Sequence, residues 1–406
     1  MLSLEWDFLS RVRFSMPWPF GLKAAVAAAP ESEDTSKSPS ARFAFKLFRE
    51  LSRGQATSNL FFSPSSVMLC LALVYELASG ETRCEMAETL EIDSLDQVGL
   101  ESEIACLQSA FGARARAELS FANSLWLGRH ARIASAFEAR LRALYDSELN
   151  SLDFASPDAV AIINAWVNAR TKGRISRIVS QLSPLTALVA INAVYFKGRW
   201  KKPFQKELTS EAPFHTASGS IPHLPLMSQS GNYSYYENRH LQLVTLPYEG
   251  EVSMIVVLPS ATSDLEEFRQ TLTASRLESW TQKSKFQKGV VELPRFQFDC
   301  EAELRNGLTA LGMNRAFDEN RAQFEHVRSD QPPVSLGRVL HRAAGDVNEE
   351  GTEAAAVTLA QVICASAMNQ RPPKLFQMIV DRPFLILIRD DKTQSLLFMG
   401  WINDPR

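Results

Sequence analysis

The chain has 406 residues, of which 45% are hydrophobic and 22% are charged, and its formal net charge is −3. This composition suits a protein with a large buried core and excludes collagen-like, disordered and disulfide-scaffold classes. The small net charge provides no strong field for nucleic acid or an anionic membrane, so we expect neither as a partner. The longest apolar run, residues 67–75, is far shorter than the ~18 residues of a membrane-spanning helix.

The first 40 residues predict a tail or processed leader ahead of the fold. Residues 20–30 end in small residues like a cleavage site, but a proline, a glycine and a lysine interrupt the apolar stretch that a signal peptide needs. A polar, turn-forming stretch then leads to Ala41. We therefore place the globular domain at residues 41–406 and leave its compartment open between the extracellular space and the cytoplasm.

Helical patterns dominate the first half of the domain. Ser63 and Pro64 form a helix start, and residues 67–77 are apolar all round, which predicts a buried helix. Periodicity predicts further helices at about 99–112, 135–145 and 158–169, and strands at 119–127 and 187–196.

Strand patterns dominate the second half. They predict strands at 241–247, 252–259, 290–298 and 334–341, with helices near 263–283 and 301–312. The last 30 residues add strands at 384–388 and 395–401 around a charged turn. Because no repeat or long linker separates the two halves, we predict a single α+β domain.

The chain shows no motif for catalysis or metal binding. A nucleophile elbow, a phosphate-binding loop, H-E-x-x-H and paired C-x-x-C are all absent from the sequence. The six histidines include no i, i+4 pair, and the five cysteines have no metal or redox spacing. We therefore expect no metal, no cofactor and no enzymatic activity, although a triad assembled from distant residues would leave no local motif.

One segment, residues 348–365, has an unusual composition for a loop. It is an acidic turn followed by small residues and a β-branched run. If a strand begins at Thr352, its period of two puts only small or modest side chains on one face. That face consists of Thr352, Ala354, Ala356, Thr358, Ala360, Val362 and Cys364. Such a strand could enter a packed sheet without steric cost, and the polar, proline-bearing stretch after Ala365 is typical of an exposed loop.

From about residue 41 to its end, the sequence resembles the serpin family. Six short segments carry the resemblance: 59–66, 192–200, 293–296, 347–354, 381–384 and 398–400. The resemblance implies one domain with three β-sheets, eight or nine helices and an exposed reactive-centre loop at about 349–374. It also implies a mechanism in which a serine protease cuts the loop, which then inserts into the large sheet and traps the protease as an acyl-enzyme.

Within the loop, the resemblance assigns a hinge and a scissile bond. Inhibitory serpins have a hinge of Gly-Thr-Glu and small residues, and the match here is Glu350, Gly351, Thr352, Glu353, Ala354, Ala355 and Ala356. The family spacing places the reactive bond at Ala365–Ser366, which suits elastase-like or subtilisin-like pockets. The stretch that follows is longer than usual, so cleavage at Met368–Asn369 by a chymotrypsin-like protease is the alternative.

The resemblance also places residues that control insertion. Ser63, Ser66, Asn192 and His341 match the shutter beneath the opening sheet, and Trp200 matches the breach where the loop enters. The region 81–103, where some relatives bind heparin, is acidic here, so we expect no heparin activation. We expect a monomer at risk of loop-sheet polymers. A non-inhibitory serpin-like carrier or chaperone is the alternative function.

Overall fold

The computed structural model describes residues 34–111, 118–145, 147–216, 218–330, 334–350 and 375–406. Residues 34–406 form one compact unit. The described residues form nine α-helices and three β-sheets, which confirms the predicted α+β class. None of these helices is both long and apolar enough to cross a membrane. The helices are α1 (Pro39–Ser52), α2 (Pro64–Leu77), α3 (Gly80–Thr89), α4 (Gln97–Phe111), α5 (Ser135–Tyr145), α6 (Ala159–Arg170), α7 (Leu265–Gln270), α8 (Ala274–Lys283) and α9 (Arg305–Ala310).

Two of the predicted shutter residues, Asn192 and His341, lie on a five-stranded sheet. In spatial order its strands are β11 (Phe296–Glu303), β13 (Leu336–Val347), β5 (Leu188–Lys197), β2 (Glu118–Gly128) and β4 (Glu148–Leu152). A nine-stranded sheet comprises β1 (Leu60–Phe62), β16 (Leu396–Ile402), β15 (Phe384–Asp390), β9 (Val252–Pro259), β8 (Leu241–Pro247), β7 (Gly219–Glu237), β10 (Lys285–Pro294) and β14 (Phe376–Ile379), with β6 (Ser210–Thr216) paired to β7. The third sheet pairs β12 (Val327–Ser329) with β3 (Ala131–Ile133).

Helix α2 fills the space beneath the five-stranded sheet, as its all-round apolar sequence predicts. Every side chain in it except Tyr75 is buried, and the helix packs against β2, β5 and β16. Its start is also as predicted: the Ser63 side chain accepts a hydrogen bond from the Ser66 backbone N–H at 3.4 Å, and Pro64 occupies the first turn. The polar N-terminus of α2 is thereby fixed directly below the sheet.

A second hydrophobic cluster covers the opposite, outer face of the same sheet. Here α6 and the segment after it pack on β2, β5 and β13 through apolar side chains that include Ile163, Val167, Ile175 and Ile191. The five-stranded sheet therefore has a packed layer on each face. A strand that enters this sheet has to do so between two filled layers.

Several predicted elements differ from those observed. The single strand predicted at 290–298 is two strands, β10 and β11, which separate at Arg295 and join different sheets. The helix predicted at 263–283 is two helices, since Thr273 caps a new start by accepting from the Arg276 N–H. The helix predicted at 301–312 shrinks to α9, because residues up to Glu303 pair with β13.

Residues 34–38, directly ahead of α1, are anchored to α8 through Asp34. Its carboxylate accepts hydrogen bonds from the backbone N–H groups of Ala274 at 2.8 Å and Ser275 at 3.0 Å. These are two of the N–H groups that the first turn of a helix leaves without an intrahelical partner, and a carboxylate there is also favoured by the helix dipole. Asp34 thus caps a helix that lies 240 residues away in sequence.

We expect Asp34→Ala to lower the free energy of unfolding by about 1 kcal/mol, the usual cost of losing such a cap. The measurement is urea unfolding of the full chain, monitored by circular dichroism. The exposed Asp93 serves as the matched control, and Asp93→Ala should change stability far less. Equal losses for the two variants would contradict the capping role.

Candidate functional site

The central feature of the five-stranded sheet is a parallel seam between β5 and β13. The two strands pair from Leu188 with Leu336 to Phe196 with Gly345, while β13 pairs antiparallel with β11, and β5 antiparallel with β2. Strand β13 leads directly into residues 348–350 and the loop beyond. The seam is thus bordered by the strand from which the candidate reactive loop departs.

A row of three polar side chains crosses this sheet at one level. In register, His341 on β13 lies opposite Asn192 on β5, which lies opposite Asn123 on β2. His341 Nδ1 is hydrogen-bonded to Asn192 Oδ1, and Asn192 Nδ2 donates to Asn123 Oδ1 and to Ser66 Oγ on α2. All four side chains are at least 95% buried. A cluster of this kind is hydrogen-bonded at its centre and has no access to water.

Ser63 completes the cluster and determines which nitrogen of the neutral His341 ring carries the proton. The Ser63 backbone N–H donates to His341 Nε2 at 3.1 Å, and its hydroxyl donates to the Leu397 carbonyl at 2.6 Å. Because Nε2 accepts, the proton of the neutral ring is on Nδ1, which donates to Asn192 Oδ1. Burial lowers the pKa of His341 to about 3, so the ring is neutral at physiological pH.

The structure therefore brings together the four residues predicted for the shutter, Ser63, Ser66, Asn192 and His341. Sequence reasoning missed Asn123, the fifth member. In the sequence, Asn123 stands out only as an amide within an otherwise apolar strand pattern. Its place in the cluster follows from the register of β2 and β5, which puts it opposite Asn192. The Asn123 Nδ2 atom is buried without a hydrogen-bond partner in the described structure.

Trp200 lies just past the C-terminal end of β5, at the same end of the seam as the start of the loop. Its indole N–H donates to the Asn348 carbonyl at 2.8 Å, and its ring stacks on Tyr248 with centroids 4.1 Å apart. The side chain is 3% exposed. Trp200 thus holds the first residue after β13 in place.

The next two residues are held by polar contacts that the sequence analysis did not identify. The buried Glu349 carboxylate accepts from the Thr209 hydroxyl at 2.8 Å and lies 3.7 Å from the Arg295 guanidinium. Glu350, the first predicted hinge residue, forms an exposed ion pair with Lys206 at 3.0 Å, which lowers the pKa of Glu350. The root of the loop is therefore fixed up to residue 350.

The remaining hinge residues and both candidate reactive bonds lie outside the described residues. These are Gly351, Thr352, Glu353, Ala354, Ala355 and Ala356 in the hinge, Ala365–Ser366, and Met368–Asn369. The structure describes the seam that the loop would enter and both ends of the loop, at Glu350 and at Leu375.

Comparison with known proteins identifies the class to which this fold and seam belong. The family model for Serpin (serine protease inhibitor) matches residues 38–405, and the chain belongs to the serpin family. An uncharacterized serpin-like protein of Thermococcus kodakarensis is 35% identical over 370 residues, which cover 90% of this chain and 84% of that protein. Human leukocyte elastase inhibitor is 31% identical over 382 residues, which cover 91% and 99% of the two chains.

Solved structures agree with this assignment. The thermophilic serpin tengpin in its native state superposes with a TM-score of 0.81 at 26% identity, covering 90% of this chain and 93% of tengpin. Uncleaved ovalbumin superposes with a TM-score of 0.81 at 28% identity, covering 91% and 99% of the two chains. The described five-stranded sheet and the nine helices are thus those of a serpin.

We expect the buried His341 to make the protein sensitive to acid. Its pKa is about 3 when folded and near 6.5 when unfolded, so only the unfolded state gains a proton as pH falls through this window. Stability from this site is complete above pH 6.5 and decreases by up to ~1.4 kcal/mol per pH unit below it. Between pH 7.5 and 5 the loss is about 2 kcal/mol.

Urea unfolding of wild type and His341→Gln at several pH values measures this contribution. The variant should have a shallower decline of stability between pH 6.5 and 5. His240→Gln, at an exposed position, is the control and should keep the wild-type slope. Parallel pH profiles for wild type and His341→Gln would show that another group causes the acid sensitivity.

We expect Glu349→Ala to destabilise the native state by about 1–3 kcal/mol, because it leaves the Thr209 hydroxyl without its buried acceptor and Arg295 without its carboxylate. The loop root should then detach more readily, and polymers should form faster on warming. Thermal melts and native gels after incubation at raised temperature measure both effects. Glu350→Ala removes a neighbouring exposed carboxylate and should change neither appreciably; equal behaviour of the two variants would contradict the role of Glu349.

Proposed function

We propose that this chain is an inhibitor of serine proteases that acts once as a suicide substrate, and that it is not an enzyme. The observation that carries the proposal is the parallel seam: β13, the strand that leads into the predicted loop, pairs in parallel with β5 at the centre of the five-stranded sheet. A loop that turns back after Val347 runs antiparallel to β13, and it is therefore antiparallel to β5 as well. Its insertion between them replaces one parallel ladder by two antiparallel ladders.

This replacement supplies a driving force for insertion. It adds backbone hydrogen bonds along the whole inserted segment, and antiparallel pairing is slightly more stable per residue than parallel pairing. The face with Thr352, Ala354 and Ala356 consists of small side chains, which can pack on a filled layer without a steric clash. The uncut protein is then held kinetically above its most stable state.

The side chains at the seam perform the separate steps of this mechanism. Trp200 and Glu349 hold the loop root until the loop is cut. The hydrogen bond between Asn192 and His341 crosses the seam and has to break when the strands part, whereas Asn192 stays paired with Asn123 on its own side. We therefore propose that the shutter sets a barrier at the middle of the sheet and the breach at its top.

The loop composition favours proteases with a shallow primary pocket. Cleavage at Ala365–Ser366 fits elastase-like and subtilisin-like enzymes, and cleavage at Met368–Asn369 by a chymotrypsin-like enzyme is the alternative. Two human relatives bear the names leukocyte elastase inhibitor and plasminogen activator inhibitor 2, which supports a protease as partner. The fold alone does not separate protease inhibition from ligand binding, because a thyroxine-binding globulin shares it with a TM-score of 0.79.

Incubation with pancreatic elastase, chymotrypsin, trypsin and subtilisin tests the proposal. We expect an SDS-stable complex with elastase or subtilisin, and a released C-terminal peptide that begins at Ser366 or at Asn369. Ala354→Arg places a charged side chain on the inserted face and should convert the inhibitor into a cleaved substrate. Ala355→Arg is the matched control: its side chain lies on the opposite face, which already carries the charged Glu353, so this variant should still trap protease.

Two outcomes would contradict these proposals. Cleavage by these proteases without a complex, and with no gain in thermal stability of the cleaved chain, would overturn inhibition and favour the carrier or chaperone function. Trapping by Ala354→Arg as efficient as that of Ala355→Arg would contradict the assignment of the inserted face.

A further inference from the structure

The outer side of the seam is spanned by one short segment, residues 174–181, which we call the strap. The strap follows α6 and is attached to it through Asn164, whose amide oxygen accepts from the N–H groups of Ile178 at 2.8 Å and Val179 at 3.1 Å. The Asn164 amide nitrogen also donates to the Val179 carbonyl at 2.8 Å. The side chains of Ile175, Ile178 and Val179 are each 1% exposed and belong to the outer hydrophobic cluster.

The strap contacts both strands of the seam. On the β5 side, the Arg174 guanidinium lies over the Tyr195 ring, 4.9 Å from its centroid. On the β13 side, Arg342 donates to the Arg177 carbonyl, and Arg338 donates to the Gln181 carbonyl at 3.0 Å. The strap therefore bridges the two strands that have to separate.

Each of the two β13 arginines is held in a fixed orientation from its other side. Arg342 forms a two-pronged ion pair with Asp299 on β11, with distances of 2.7 and 2.6 Å, and Arg338 pairs with Glu303 at 2.6 Å. A planar guanidinium can bind a carboxylate and a carbonyl at the same time because its donors point in fixed directions. The arginines thus connect β11, β13 and the strap.

The register shows that the strap runs along the path of insertion. Tyr195 lies opposite Ala344, and farther down the seam Arg342 lies opposite Ala193 and Arg338 opposite Val189. The strap contacts follow the same order, from Arg174 to Gln181. The strap therefore descends antiparallel to β5 and β13, directly over the gap that an inserted strand would occupy.

When a strand inserts between β5 and β13, the strap cannot keep both its contacts with α6 and its contacts with β13. A new strand increases the separation of β5 and β13 by about 4.8 Å, more than a hydrogen bond can stretch. The strap is bound to α6 by three hydrogen bonds, and its three apolar side chains Ile175, Ile178 and Val179 are buried in the outer hydrophobic cluster. The side chain of Arg342 is 19% exposed and that of Arg338 is 31% exposed, so water can replace the strap carbonyls to which they donate. The arginine contacts are the weaker attachment.

We propose that Arg338 and Arg342 form a latch that ties the strap to β13 and has to release before a strand can enter the seam. The latch deepens the proposed inhibitory function, on which it rests, because it would regulate how fast the cut loop inserts. In the part of the chain that the structure describes, the two arginines contact the strap and carboxylates of β11, so they act through the strap and are positioning residues. Weakening the latch accelerates insertion and also accelerates spontaneous opening.

The double variant Arg338→Lys/Arg342→Lys tests the latch. Lysine keeps the positive charge beside Asp299 and Glu303 but lacks the planar fork that reaches a second acceptor. The control is Arg305→Lys, since Arg305 also donates to backbone carbonyls, of Gly337 and Phe317, but does not contact the strap. The probe is a synthetic peptide with the sequence of residues 352–363, which enters the seam of the uncut full chain without any protease.

We expect the peptide to enter the double variant about tenfold faster than wild type, the change that ~1.4 kcal/mol of lost hydrogen bonding gives. Native gels and intact mass follow incorporation. The peptide-bound forms of wild type and variant should unfold at the same temperature, a result that general destabilisation would not give. Entry at the wild-type rate, equal acceleration by Arg305→Lys, or no entry into any variant would overturn the latch.

The same variants separate this proposal from inhibition itself. With a protease that the wild type traps, the double variant should need fewer inhibitor molecules per protease inactivated, because faster insertion outcompetes hydrolysis of the acyl-enzyme. If the peptide enters faster but no protease is trapped by any form, inhibition fails and the latch stands. If wild type traps protease while peptide entry is unchanged in the variant, the latch alone fails.

Discussion

The pairing of β5 with β13 is the interaction on which the rest of the structure depends. The ladder runs parallel between Leu188 and Phe196 on one strand and Leu336 and Gly345 on the other, within a sheet whose adjoining pairs are antiparallel. Separate contacts cross or border it from three directions: His341 with Asn192 from below, Trp200 with Asn348 at one end, and the strap from outside. Each of these contacts consists of only a few hydrogen bonds. The seam is therefore closed in the native state, and the contacts can break when the strands separate.

The polar row beneath the seam is a costly way to hold a core together. A buried amide without a partner costs about 1–3 kcal/mol, and the Asn123 nitrogen is buried and without one in the described structure. Apolar side chains at these positions would pack without that penalty, but the packing contacts that would then hold the sheet closed are not directional. Hydrogen bonds are lost over a short distance, so a row of them separates sharply once the strands begin to move.

Much of the fold could be predicted from local pattern, and the failures have physical causes. Strands β8 and β9 were predicted to the residue because both are short, apolar and bounded by turns. Strand β7 was missed because its prolines, serines and half-exposed positions give no apolar run. The four shutter residues came from family resemblance, whereas the roles of Asn123, Glu349 and the two β13 arginines depend on contacts between residues distant in sequence. Periodicity reports which face of a strand is buried, and it contains no information about which strand lies opposite.

Trp200 has a consequence for how this molecule can be observed. Its ring is stacked on an aromatic neighbour and its N–H is bonded to the backbone at the loop root, so the surroundings of this one indole depend on whether the root is attached. An indole whose N–H loses its hydrogen bond changes its emission. The chain therefore contains its own optical reporter at the point where the reactive loop begins, and the state of the loop can be followed without adding a label to a sheet that tolerates little extra volume.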